Sequence, residues 1–458
     1  MQTTNKKALV LLTITLLTVF TFIPFCSAAN GTQVGGMINT DTLWTKVMGP
    51  YSLTSPVIVG YGATLQIEQG AVINLNGYNL QVNGILNARG WSGDKITFTS
   101  SSGCAIIFSG SSTSYDEADQ TGCIIENAQI NGVYVYVSSG APKISGCTMI
   151  APNVDSVKMA FEIDSAGAPI IVGNTINGSI ECLNGAHPTI MDNTINGGIR
   201  SQGFDLSQPI IINNTIYGGM GYTGYSSGIN ACGNNFYIAH NTISGCLNAI
   251  VLNQGTNTIE YNLIYNNTNG IVISQDQYAS ANIRHNTVCN NTLGLAIYYD
   301  TDLQQVSIMY NNLVGNGGYE FRGANVTYNW WGTTNETAIG LALVTTTVYV
   351  PFLNAPDTTA LKIPDQQNQI TSPTDSPTPT TNPTTSAYTN VNQDPTAQPP
   401  VTPNNPTQEP TATPYQASKA IPEFTLLIAA GFIALSLFTA TLVFYRRFRG
   451  QLKKPAIV

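Results

Sequence analysis

Along the middle of the chain a branched apolar residue stands three positions before an asparagine that recurs every 18 to 27 residues. The column reads Asn127, Cys147, Asn174, Asn193, Asn214, Asn241, Asn262, Asn286, Asn311 and Asn329, a mean period of about 22. Ahead of it stand Ile124, Ile144, Ile171, Ile190, Ile211, Ile238, Ile259, Ile283, Ile308 and Val326. Two positions after it come mostly Met149, Ile176, Ile195, Ile216, Ile243, Ile264, Val288 and Leu313. Short alternating runs bounded by Asn and Gly predict strands of a few residues. The repeat holds no amphipathic stretch long enough for a helix, which excludes the helical repeat classes and leaves a β-solenoid. Each coil is expected to carry three strands, with the Ile of each turned inward onto the Ile of the next coil.

An asparagine amide both donates and accepts, so a stacked column is expected to bond to turn backbone and to itself. Asn also tolerates the left-handed backbone of a tight turn. Cys147 interrupts the column and predicts a weakened rung there. Pro142, Pro169, Pro188 and Pro209 each lie five residues before a column position, at the start of a strand, where a missing N–H does least harm.

The phrases IVGNTINGSI, IMDNTINGGI, IINNTIYGG and IRHNTVCNNTLGLAI resemble the repeats of right-handed parallel β-helix proteins, the pectin-lyase-like superfamily that includes NosD-like proteins. The segments LWTKVMGPYSLTSPVIVGYG and YNWWGTTNETAIG resemble the opening and closing parts of such surface proteins. The resemblance covers roughly residues 38–357. It implies an all-β fold, a single-stranded right-handed parallel β-helix. It implies little about function, since the superfamily includes lyases, hydrolases, epimerases and non-catalytic adhesins.

The ends of the chain change the picture from a free solenoid to an anchored one. Lys6 and Lys7 precede an apolar run and the small residues Ser27, Ala28 and Ala29, the pattern of a secretory signal peptide over 1–29. Residues 30–100 then read as an N-terminal cap and first coils, and 101–356 as the β-helix proper. From 357 to 421 Pro, Thr, Gln and Asn dominate, a composition that buries no core and reads as a disordered stalk. Residues 422–445 read as one transmembrane helix, since the uncharged Phe424–Tyr445 would span about 33 Å. The basic tail 446–458 is then cytoplasmic and the rest is outside. Ile421-Pro422-Glu423-Phe424 ahead of the span resembles the C-terminal sorting signals of archaeal surface proteins. Sequons at Asn30, Asn177, Asn213, Asn266, Asn290, Asn325 and Asn335 admit glycosylation.

All 25 Asp and Glu lie outside signal and tail, against 10 of the 17 Lys and Arg, a balance of −15 that disfavours nucleic acid as a partner. The expected partners are the membrane and surface glycans or envelope proteins. Removal of the signal leaves Cys104, Cys123, Cys147, Cys182, Cys232, Cys246 and Cys289, read as buried free thiols. No metal or cofactor is expected. His240 and His285 sit two coils apart, too far to share a zinc ion, and Asp116, Glu117 and Asp119 read as a solvated loop.

Two sets of residues carry candidate chemistry. Asp164, Glu181 and Arg200 are expected to stack outward on successive coils, where paired carboxylates could do acid–base work beside an arginine. The alternative for these three is an ordinary charge ladder, and the Asp-Asp and Gly-His-Gly segments of polygalacturonases do not occur. The second set, His240, Tyr261, His285, Tyr310 and Tyr328, precedes the later column asparagines and forms an aromatic file. It is either a stack that supports the turn or a binding strip. The expected function is a cell-surface adhesion, recognition or envelope module without catalysis; the alternative is an extracellular polysaccharide lyase or glycoside hydrolase.

Overall fold

Isoleucine flanked by threonine and asparagine fits a narrow strand with one face inward, and here the same triplet recurs coil after coil. In the computed structural model, residues 31–154, 157–201, 207–218, 227–233, 235–273, 279–298, 305–344 and 347–362 are described. They fall in the first of two compact units, Met1–Thr374. The expected signal peptide, the transmembrane helix, the tail and nearly all of the stalk lie outside the described residues. Among the described residues no helix is long and apolar enough to cross a membrane.

The chain winds as a parallel β-helix. Each repeating coil contributes three strands, as in Ile170–Val172, Thr175–Asn177 and Ser179–Cys182. The first strand of each coil joins a 12-stranded sheet and the other two join a 23-stranded one. Neighbours pair in parallel and in register, so that Thr175, Thr194, Thr215 and Thr242 align, and with them Ile176, Ile195, Ile216 and Ile243. Ile144, Ile171, Ile190, Ile211, Ile238, Ile259, Ile283 and Ile308 are buried. Each contributes roughly 1.5–3 kcal/mol before chain entropy is subtracted. Pro142, Pro169, Pro188 and Pro209 stand immediately before a strand, and the carbonyl of each accepts from the first strand residue of the next coil.

The asparagines form a continuous hydrogen-bonded ladder. From Asn174 through Asn193, Asn214, Asn241, Asn262, Asn286 and Asn311 to Asn329, each Nδ2 donates to the Oδ1 of the next at 2.9–3.0 Å. That Oδ1 also accepts the preceding asparagine's backbone N–H, as Asn193 does from Asn174 and Asn262 from Asn241. The remaining amide donor capacity goes to backbone carbonyls, such as those of Ile171 and Met191 for Asn193.

Three sequence expectations change. Asn127 is not a member of the ladder. Ile144 pairs with Ile125 rather than Ile124, so Ala128 aligns with Cys147 and Asn127 falls one residue earlier. The left-handed backbone is also found one residue before the ladder, at Asn127, Gly146, Gly173, Asp192, Asn213, His240, Tyr261, His285, Tyr310 and Tyr328, all with φ between 48° and 67°. Cys147 is better described as the end of the ladder than as a gap in it. Its thiol donates to the carbonyls of Ile125 and Ser145, the two roles an asparagine Nδ2 fills elsewhere, and its N–H donates to Asn174 Oδ1. What the thiol lacks is the amide oxygen that would face the preceding coil.

The last coils are closed by the helix Glu336–Ala342, N-capped by Asn335. Ile339 on this helix and Trp331 ahead of it are buried, and Leu343, Tyr349 and Phe352 pack on the same core.

Candidate recognition strip on the turn column

Five rings stand on consecutive coils because the turn places the residue before each late ladder asparagine in the same left-handed conformation. Ring centroids are 5.0 Å apart for His240–Tyr261, 5.1 Å for Tyr261–His285, 5.8 Å for His285–Tyr310 and 5.9 Å for Tyr310–Tyr328. The interplanar angles rise from 5° to 26° along the file. The rings therefore lie face on face, so that between neighbours only ring edges remain open. Stacking offsets the cost of left-handed backbone at bulky residues, of order 1 kcal/mol each on either side of the balance. Tyr310 and Tyr328 remain 41% and 42% exposed.

A polar network flanks the file. Both Glu260 carboxylate oxygens are engaged, one by the Tyr237 hydroxyl at 2.7 Å and the other by Arg284 Nε at 2.8 Å. Burial first and Glu260 second push the Tyr237 phenol up to about 12, so it stays a hydrogen-bond donor. Beyond Arg284 a shallow depression of about 340 Å³ is lined by Asn282, Arg284, His285, Ser307, Met309 and Tyr310. The chain returns to this region after its last coil. Asp357, where the stalk is expected to begin, exchanges two hydrogen bonds with Asn312 through its own backbone and pairs with His285 Nδ1 at 2.6 Å. Burial opposes the charge of Asp357, but hydrogen bonds with His285 and Thr359 hold its carboxyl below the usual carboxylate range.

The acid–base candidates do not assemble. Glu181 aligns with Arg200 as expected, but its neighbour on the preceding coil is Glu162, not Asp164. Ile180 stacks on Phe161 rather than on Ile163, so Asp164 falls two residues beyond that column, and it aligns with Ser138 on the coil before. Glu181 is 2% exposed, and its Oε1 accepts from Arg200 Nε at 2.8 Å and from the same guanidinium's terminal nitrogen. Burial works against ionisation of Asp164, yet the Asn184 amide, the Ser165 backbone and the Tyr136 hydroxyl hold it below the usual carboxylate range. It therefore stays ionised at neutral pH, which suits it poorly to donate a proton.

Among the described residues no group of three or more His, Cys, Asp or Glu could hold a metal ion. In the loop at Asp116–Asp119, Asp116 caps two backbone N–H groups and Glu117 pairs with Lys143. All seven cysteines among the described residues are free and all but Cys232 are buried. Burial pushes Cys147 and Cys289 up to about 12 and Cys123 to about 11, so these thiols are poor nucleophiles at neutral pH.

Sequence reasoning missed a second ladder, five residues after the first. Asn267, Asn291 and Asn316 repeat the same amide bonds at 2.9–3.0 Å, and Cys246 ends this ladder as Cys147 ends the other. The Asn266-Asn267-Thr268 and Asn290-Asn291-Thr292 phrases carried the signal. It also missed the Glu260–Arg284 pair, although each residue directly precedes a ring of the file.

No family model and no curated protein matches the chain. Among solved structures, the periplasmic alginate epimerase AlgG is similar over 70% of this chain and 77% of its own, at 14% identity and a TM-score of 0.34. Point-mutant forms of the same protein give 13–14% identity and TM-scores of 0.26–0.35. At these values the similarity carries no argument about chemistry. The assignment as a parallel β-helix rests on the sheet topology of the chain itself.

Proposed function

We propose that this chain is a membrane-anchored cell-surface β-helix, right-handed like the NosD-like repeats it resembles, that acts as a non-catalytic recognition module for envelope glycans or proteins. The observation that carries this reading is the file from His240 to Tyr328, five rings in coil register with an accessible edge. Ring edges spaced by one coil suit a partner that itself repeats, such as a polysaccharide. The adjoining depression adds Arg284, Asn282 and Ser307 as hydrogen-bonding groups. A cleaving enzyme has less support, because Glu181 is buried against Arg200 and Asp164 lies in another column. The sequon residues Asn213, Asn266, Asn290, Asn325 and Asn335 are exposed, consistent with a glycosylated outer surface.

The test is retention of the full-length protein on immobilised envelope polysaccharide. Tyr328→Ser removes only the end ring, which costs at most about 1.5 kcal/mol of stacking. The same change, alone or with Tyr310→Ser, is expected to weaken retention about tenfold or more, equivalent to about 1.4 kcal/mol of binding. Unchanged retention with a large loss of stability would make the file a structural element only.

A further inference from the structure

The two ends of the β-helix differ. At the C-terminal end the closing helix and the residues after it cover the core. At the other end the strands Thr32–Ile38 and Thr42–Trp44 pair, among the described residues, only with Tyr51–Val59 and Thr64–Ile67, so each has one edge without a strand partner. Proteins usually blunt such edges with charges, and this one does not. Residues 31–50 contain two charged side chains, Asp41 and Lys46. Both are directed to later coils. Asp41 Oδ1 accepts the Thr64 N–H at 2.9 Å, and Lys46 Nζ bonds both oxygens of Asp94 at 2.7 and 2.8 Å. Over the same stretch Met37, Leu43, Val47 and Met48 are all more than half exposed.

We propose that this end is a docking surface for the same end of a second copy, with the Thr32–Ile38 edges paired across a twofold axis. A twofold axis perpendicular to the strands makes the new pair antiparallel, an ordinary way to satisfy two free edges. The closed opposite end removes the head-to-tail alternative that would lead to open filaments. Two copies of an end whose charges are already engaged also meet without like-charge repulsion.

Sedimentation of the full-length protein in detergent tests the proposal. The unmodified chain is expected to be dimeric at micromolar concentration. Met37→Lys and, separately, Gln33→Lys place like charges on facing edges and are expected to raise the dissociation constant about tenfold or more. Both sites are exposed, so the variants should keep the circular dichroism of the parent. Leu341→Lys, on the closing helix, should leave the dimer intact. A monomeric unmodified chain would overturn the proposal. Dimers that persist in both lysine variants would also overturn it, by placing the contact elsewhere.

Discussion

Asn262→Ala is expected to lower the unfolding free energy by about 3–5 kcal/mol, more than a polar-to-alanine change on the surface of a coil. The side chain makes five hydrogen bonds. Its Oδ1 accepts the backbone N–H and the amide of Asn241, and its Nδ2 donates to Ile238, Glu260 and Asn286 Oδ1. The Asn241 N–H is left buried and unsatisfied, which alone costs about 1–3 kcal/mol. Loss of the remaining bonds and a small cavity supply the rest. Asn262→Cys should cost less, because a thiol keeps the donor role that Cys147 plays. Asn266→Gly changes an exposed turn position outside the ladder and should stay within about 0.5 kcal/mol of the parent. Urea denaturation of the three variants checks the order; equal effects at 262 and 266 would remove the ladder from the account of stability.

The second large effect is expected at Arg200. Removing the guanidinium by Arg200→Ala takes the counter-charge from the buried Glu181 and leaves it in register with Glu162, at a cost of about 3–5 kcal/mol. The paired change Glu181→Gln with Arg200→Met removes both charges and should return to within about 1 kcal/mol of the parent. Denaturation midpoints of the single and double variants give the answer. A negligible loss in Arg200→Ala would mean that the pair is not structural and would reopen a catalytic role for it.

Much of this architecture was legible because a β-helix repeats its environment. Ile176 and Ile195 meet the same neighbours, so spacing alone located the core and the ladder from Asn174 onward. The errors fall where the repeat is locally broken. Ile124-Ile125 allowed two frames, and only strand pairing shows that Ile125 faces inward and Asn127 leaves the ladder. Phe161 and Ile163 both face inward, so alternation allowed either as the partner of Ile180; the pairing of Ile180 with Phe161 puts Glu162, not Asp164, in the column of Glu181. The aromatic file was visible as a column, but not its geometry. The left-handed backbone at Tyr261 and His285 stacks the rings face on face, so the surface offered to a partner is an edge rather than a flat face.

Recognition without cleavage is the central claim. Its most direct measurement places the unmodified full-length protein on a panel of extracellular polysaccharides, with calcium added, and reads retention and release of shortened chains from the same samples. The account predicts retention on at least one polymer, lost in Tyr310→Ser with Tyr328→Ser, and no release of shortened chains from any. Release of shortened chains, abolished by Glu181→Gln and indifferent to the two tyrosines, would contradict it.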